Sequence, residues 1–177
     1  MNEKPDLIKE SRLENILTDF YKAEMVSYLE ANPAEFEQAI KLAIEDVPRY
    51  SWRATWLLWS CMVDNDSRVS AYLKEIIDRL PGKCDNHQRE LLKILQRMEL
   101  TEECEGQLFD ISFKIWENTG NQQSVRYNAL KLILKIVEKH PDLSNEVVFL
   151  TESKYLETLS EGVKKSIARM IADYRRD

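Results

Sequence analysis

The sequence predicts an all-α chain in which about four helix pairs follow one another in tandem behind an N-terminal helical cap. Three observations predict it. Apolar residues recur at helical spacing: Leu73, Ile76, Ile77 and Leu80 form one stripe, Leu108, Ile111 and Ile115 another, and Val125, Ala129, Leu132 and Ile136 a third. No run alternates apolar and polar residues at period two, and no Asn-Gly or Asp-Gly pair marks a hairpin. A basic residue recurs near the start of successive helices as Arg53, Arg89, Arg126 and Lys164, at steps of 36, 37 and 38 positions. A two-helix unit of that length cannot bury its apolar face alone and is stable only when stacked on its neighbours.

The elements follow in order. A first helix runs over 7–30, with a break expected near Thr18-Asp19, and has Leu13, Ile16, Leu17, Phe20 and Leu29 to bury. Asn32-Pro33 followed by Glu35 reads as an N-cap, a proline at the first helical position and a capping carboxylate, opening a helix over 33–47. Helices over 51–64, 67–80, 86–99, 102–118, 123–139, 142–155 and 160–175 complete the series. Ser67, Asp85, Thr101 and Ser160 are the expected N-caps, because a short side-chain oxygen can accept from a free amide of the first turn. Pro81-Gly82 and Gly120 mark stops. Connections this short make neighbouring helices antiparallel. One domain over 1–177 is expected, with the cap over 1–32 and the repeats over 33–177.

Composition bounds the function. With 177 residues, 44% apolar and 32% charged, the chain can bury a sizeable core and is not disordered. Four glycines and five prolines exclude collagen-like and low-complexity classes. A net charge of -6 argues against a general polyanion binder. The charge is uneven: residues 123–177 carry ten basic and eight acidic side chains, against fifteen and twenty-three over 1–122. The most apolar stretch, Trp52 to Val63, is too short to span a bilayer and contains Arg53. Met1 to Asp6 lacks the apolar core of a signal peptide. Cys61, Cys84 and Cys104 are odd in number and without framework spacing, which predicts free thiols and a cytoplasmic location.

Val125-Arg126-Tyr127-Asn128-Ala129-Leu130 and Val163-Lys164-Lys165-Ser166-Ile167-Ala168 resemble the Val-Arg-x-x-Ala type of second helix in HEAT and HEAT-like repeats. The resemblance covers residues 33–175 and departs at 86–99, where Leu92 replaces the small residue and Gln88 the apolar one. It implies a right-handed α–α superhelix of the HEAT/ARM type. It further implies that the second helices, 51–64, 86–99, 123–139 and 160–175, form an inner layer lining a partner-binding face. Ser51-Trp52 also resembles the Ser-Trp-Trp-Asp segment of HEAT-like DNA-alkylation glycosylases, which hydrolyse a cationic damaged nucleotide. Here no acid follows before Asp64, so the catalytic carboxylate of that segment is missing.

With the inner helices in one register, Thr55, Leu58 and Met62 face the same way as Leu91, Ile94 and Met98, then Asn128, Lys131 and Lys135, then Ser166, Arg169 and Asp173. The face runs from apolar and methionine-bearing to basic. Such a groove suits an amphipathic segment of a protein or peptide, since methionine adapts to varied partners. The candidate binding residues are Leu58, Met62, Leu91, Ile94 and Met98 as apolar contacts and Lys131 and Lys135 as charged ones. The competing reading is that the N-terminal helix covers the apolar end and the lysines are merely solvated. The recurring Arg53, Arg89, Arg126 and Lys164 read less as a cationic ladder than as residues whose stems pack and whose heads bond an adjacent turn. Trp52, Trp56 and Trp59, in a helix apolar nearly all round, read as core. Phe109, Phe113 and Trp116 read likewise.

Cys84-x-x-His87 with Cys104 is the nearest approach to a metal site, but it offers one three-ligand set from different elements, so no metal is expected. No Gly-rich phosphate loop exists, and two histidines at helix ends leave a Ser or Cys nucleophile without a base. The chain is therefore expected to be a non-catalytic binding module without a cofactor. It would bind a protein or peptide and no membrane. A HEAT-like nucleic-acid-binding protein is the alternative, and a homodimer burying its own apolar patch is a third reading.

Overall fold

Helical spacing and punctuation translate into helices throughout the computed structural model, which describes residues 11–174; no strand occurs among them. The chain divides into two compact units, Met1–Cys61 and Met62–Asp177.

In the first unit, α1 (Arg12–Asp19) opens with a capping box in which the Ser11 hydroxyl accepts from the Glu14 amide and Glu14 accepts from the Ser11 amide. The expected break falls at Phe20-Tyr21, and α2 (Lys22–Ala31) follows. The part of the expected first helix over 7–10 lies outside the described residues. A 3-10 turn at Pro33–Glu35 leads into α3 (Phe36–Ile44), which packs on α4 (Ser51–Cys61), as does α2. Leu13, Leu17, Met25, Leu29, Ile40 and Leu57 are fully buried. Phe20, expected inside, stays largely exposed because the break turns it out of the apolar stripe.

In the second unit the expected helix over 67–80 is interrupted, giving α5 (Ser67–Ser70) and α6 (Leu73–Arg79). Then come α7 (Asp85–Gln96), α8 (Glu102–Glu117) and α9 (Gln123–Lys139). The expected helix over 142–155 is also divided, into α10 (Ser144–Leu150) and α11 (Ser153–Leu156), and α12 (Glu161–Tyr174) ends the described chain. Helix α6 packs on α8, while α9 packs on α7, α8 and α12. First helices thus touch first helices and second helices touch second helices, as stacked repeats require. The core holds Trp116, Leu130, Ile133, Val137, Val147, Leu150, Ile167 and Ile171.

Three caps differ from expectation. Asn32 makes no side-chain cap: its side-chain amide donates to the Tyr28 carbonyl at 2.8 Å, and the Glu35 carboxylate accepts from the Tyr28 hydroxyl at 2.7 Å. Asp66, not Ser67, caps α5, accepting from the Arg68 amide at 3.1 Å. Cys84 occupies the cap position of α7, which frees the Asp85 carboxylate to accept from the Gln122 amide at 2.6 Å. Thr101 caps α8 as expected.

Successive repeats are laced at a fixed stride. Asp85, at the start of α7, bonds the residue before α9; Gln123, at the start of α9, accepts from the Ser160 amide before α12 at 2.8 Å. Both bonds span 37 positions, so the sequence period is the spacing of a physical contact. Arg126, fully buried, adds the strongest lace. Its Nε donates to the Trp116 carbonyl at 2.9 Å, and its terminal nitrogens donate to the Thr158 hydroxyl at 2.9 Å and the Tyr155 carbonyl at 2.6 Å. Its guanidinium lies 4.7 Å from the Trp116 ring, and the Trp116 indole donates to the Leu150 carbonyl at 3.0 Å. Asn65, at φ 50°, makes the tight turn that lets its amide donate to the Arg97 carbonyl at 2.7 Å.

Candidate functional site

The recurring basic residues form no ladder. Arg53 donates to the carbonyls of Thr18 and Phe20, and Arg126 is buried as described. Arg89 pairs with the buried Glu90 beside it, and Lys164 with Glu161 one turn back. All four have partners within the fold, and residues that share a register have diverged in role.

The five apolar candidates are not surface either. Leu58, Met62, Leu91, Ile94 and Met98 all have less than 5% of their surface exposed. A helix facing neighbours on more than one side has an apolar arc wider than any groove, so that arc is consumed in packing. They are core residues, not the contact residues the sequence suggested.

The two lysines fare differently. An open cleft of about 420 Å³ lies between α9 and α12, lined by Tyr127, Lys131, Leu134, Lys135, Glu138, Ser166, Arg169, Met170, Asp173 and Tyr174. Leu134 is buried and forms its floor; Tyr127, Met170 and Tyr174 are half-buried walls. Lys131 is exposed, and its ammonium sits 5.8 Å from the Tyr127 ring. Arg169 is exposed on the facing helix. Neither has a carboxylate partner among the described residues. Lys135 is only partly available: its ammonium donates to the carbonyls of Gln96 at 2.8 Å and Met98 at 3.0 Å, capping the end of α7. Burial in that position pushes its pKa below the ordinary lysine value.

The register therefore brings Lys131, Lys135, Ser166, Arg169 and Asp173 together around one cleft. Sequence reasoning missed Tyr127, Leu134, Glu138, Met170 and Tyr174, which supply its apolar floor and walls and one of its acids. Their signal lay in the i, i+3 and i+4 neighbours of the two lysines and of Arg169. At the far end of α9, burial raises the Glu105 carboxyl, but Lys139 at 2.6 Å and His140 at 2.8 Å outweigh it and hold it below its usual value. That cluster ties α8 to α9 and is not part of the cleft.

A family model described as a HEAT repeat domain matches residues 9–173. The chain belongs to the HEAT repeat family. The match reaches from before α1 into the last turn of α12, and the cleft lies within it, between the packed helices α9 and α12. No curated protein and no solved structure gives a significant match. No helix among the described residues is long and apolar enough to cross a membrane.

Proposed function

We propose that this HEAT-repeat chain is a non-catalytic scaffold of the cytoplasm that binds an amphipathic segment of a partner protein in the α9–α12 cleft. One observation carries the reading: Lys131 and Arg169 stand exposed on facing helices, without a carboxylate partner among the described residues, above the apolar Leu134 and Met170. An apolar stripe of the segment would pack on those two side chains. Its acidic residues would meet Lys131 and Arg169, and its basic ones Glu138 and Asp173. Charge-assisted contacts at such a rim set register and specificity more than raw affinity. Mixed charge favours a protein over nucleic acid, whose phosphates would meet two carboxylates among three cations.

A photo-crosslinking residue placed at Lys131 or Ser166, in the cell that makes the protein, tests this. The expected result is a protein adduct that a crosslinker at exposed Glu103 on α8 does not give. The adduct should disappear in a Lys131→Glu, Arg169→Glu double variant. A nucleic-acid adduct, or a protein adduct that survives the charge reversal, would overturn the reading.

A further inference from the structure

The first unit carries a second cleft of different chemistry. The break between α1 and α2 leaves Tyr21 82% exposed, and α4 turns Trp52, 38% exposed, and half-buried Trp56 away from the core. A cleft of about 270 Å³ lies here, lined by Tyr21, Lys22, Met25, Trp52, Arg53 and Trp56. Trp52 and Trp56, which read as core, are its walls.

Its two cations are not equivalent. Arg53 is committed: it donates to the Thr18 carbonyl at 2.9 Å and to the Phe20 carbonyl, and rests on the Met25 sulfur at 3.6 Å. It holds the α1–α2 break in place. The Lys22 ammonium lies 4.7 Å from the Trp56 ring and has no ion pair among the described residues. Among the described residues no carboxylate lines the cleft. Glu24, two positions on, turns back to accept from the Tyr21 amide at 2.8 Å and caps α2.

This arrangement selects among ligands. Aromatic walls attract a flat apolar group. A cationic guest, of the kind aromatic cages hold, would meet Lys22 already seated over Trp56 and Arg53 beside it. A nucleic-acid strand needs a track of cations for its phosphates. Residues 11–61 carry five basic and eight acidic side chains and provide none. What fits is an anion on an aromatic body. We propose that the cleft takes one aromatic side chain of a partner protein, lying against Trp52 and Tyr21, with an adjacent Asp or Glu paired to Lys22.

The test is a titration of the full chain, followed by tryptophan fluorescence, with the peptide acetyl-Asp-Glu-Phe-Asp-amide. Controls replace Phe by Ala, or all the acids by Lys. Saturable binding of the acidic Phe peptide is expected, at least ten-fold tighter than either control. Lys22→Glu should weaken it at least ten-fold, and Lys22→Arg should keep it within about three-fold, since Arg also stacks on indole. Trp52→Leu, at a cleft-wall position 38% exposed, should abolish it while far-UV circular dichroism stays unchanged. Lys131→Glu, Arg169→Glu should leave it intact, which separates this site from the α9–α12 cleft. Equal or tighter binding of the lysine peptide, indifference to Lys22→Glu, or no saturation at millimolar peptide would overturn the proposal. So would a dimer in sedimentation that Trp52→Leu dissociates, since the occupant would then be a second copy of the chain.

Discussion

Arg126→Met removes the buried guanidinium that ties the α8–α9 repeat to the turn before α12, and keeps an unbranched stem in its place. The Thr158 hydroxyl can rotate to another partner, but the Trp116 and Tyr155 carbonyls lose their donor. A stranded buried carbonyl costs about 1–3 kcal/mol, so two cost about 2–6 kcal/mol. The cation–π contact with Trp116 adds about 2 kcal/mol when desolvated. Against this, a buried charge no longer has to be desolvated, which returns several kcal/mol. The net expectation is a loss of about 3 kcal/mol. Urea unfolding reads it as a lower midpoint at unchanged slope. Arg126→Lys should lose nearly as much, because one ammonium cannot span three acceptors in fork geometry. Arg89→Met, in the same register but paired only within its own helix, should lose less than about 1 kcal/mol. An Arg126→Met variant as stable as the parent, or no less stable than Arg89→Met, would refute the view that this residue laces the repeats.

Other consequences concern single groups. The Arg68 guanidinium, helped by the Arg68 and Val63 amides, holds the Asp66 carboxyl down to about 2, from an ordinary value of 3.8. A lowered folded-state pKa stabilises above the unfolded value, and that stabilisation disappears as pH falls through the folded value. Asp66 should therefore contribute about 2 kcal/mol above pH 4, lost between about pH 4 and pH 2. Asp66→Asn should lower stability at pH 7 and flatten the acid limb of a stability–pH curve; an unchanged limb would contradict the assignment. The Ser112 hydroxyl is buried in α8 without a hydrogen-bond partner among the described residues. Ser112→Ala should therefore raise stability by about 0.5–1 kcal/mol in thermal unfolding. A loss would show that the hydroxyl has a partner.

Much of the fold was legible because a two-helix repeat writes its pitch into the chain. The basic residues marked the stride, and Asp85–Gln122 and Gln123–Ser160 show that it corresponds to bonds between repeats. The subdivision of 142–155 was not legible. The Thr151 hydroxyl donates to the Val148 carbonyl at 2.9 Å, a local side-chain bond that competes with helix continuation. Nothing in the sequence explains the interruption at Ala71-Tyr72. Of the site, the register placed Lys131, Lys135 and Arg169 on one face, since periodicity determines which residues point the same way. It does not tell whether a face is covered. Leu91 and Met98 therefore read as a groove and are core, while Trp52 and Trp56 read as core and line a cleft.

The central claim is that a partner segment lies between α9 and α12. Hydrogen–deuterium exchange of the full chain, alone and with the partner identified by crosslinking, tests it most directly. The account predicts added protection over residues 127–138 and 166–174, absent in the Lys131→Glu, Arg169→Glu variant. Protection confined to α8 and α10, or protection that the charge reversal leaves untouched, would contradict it.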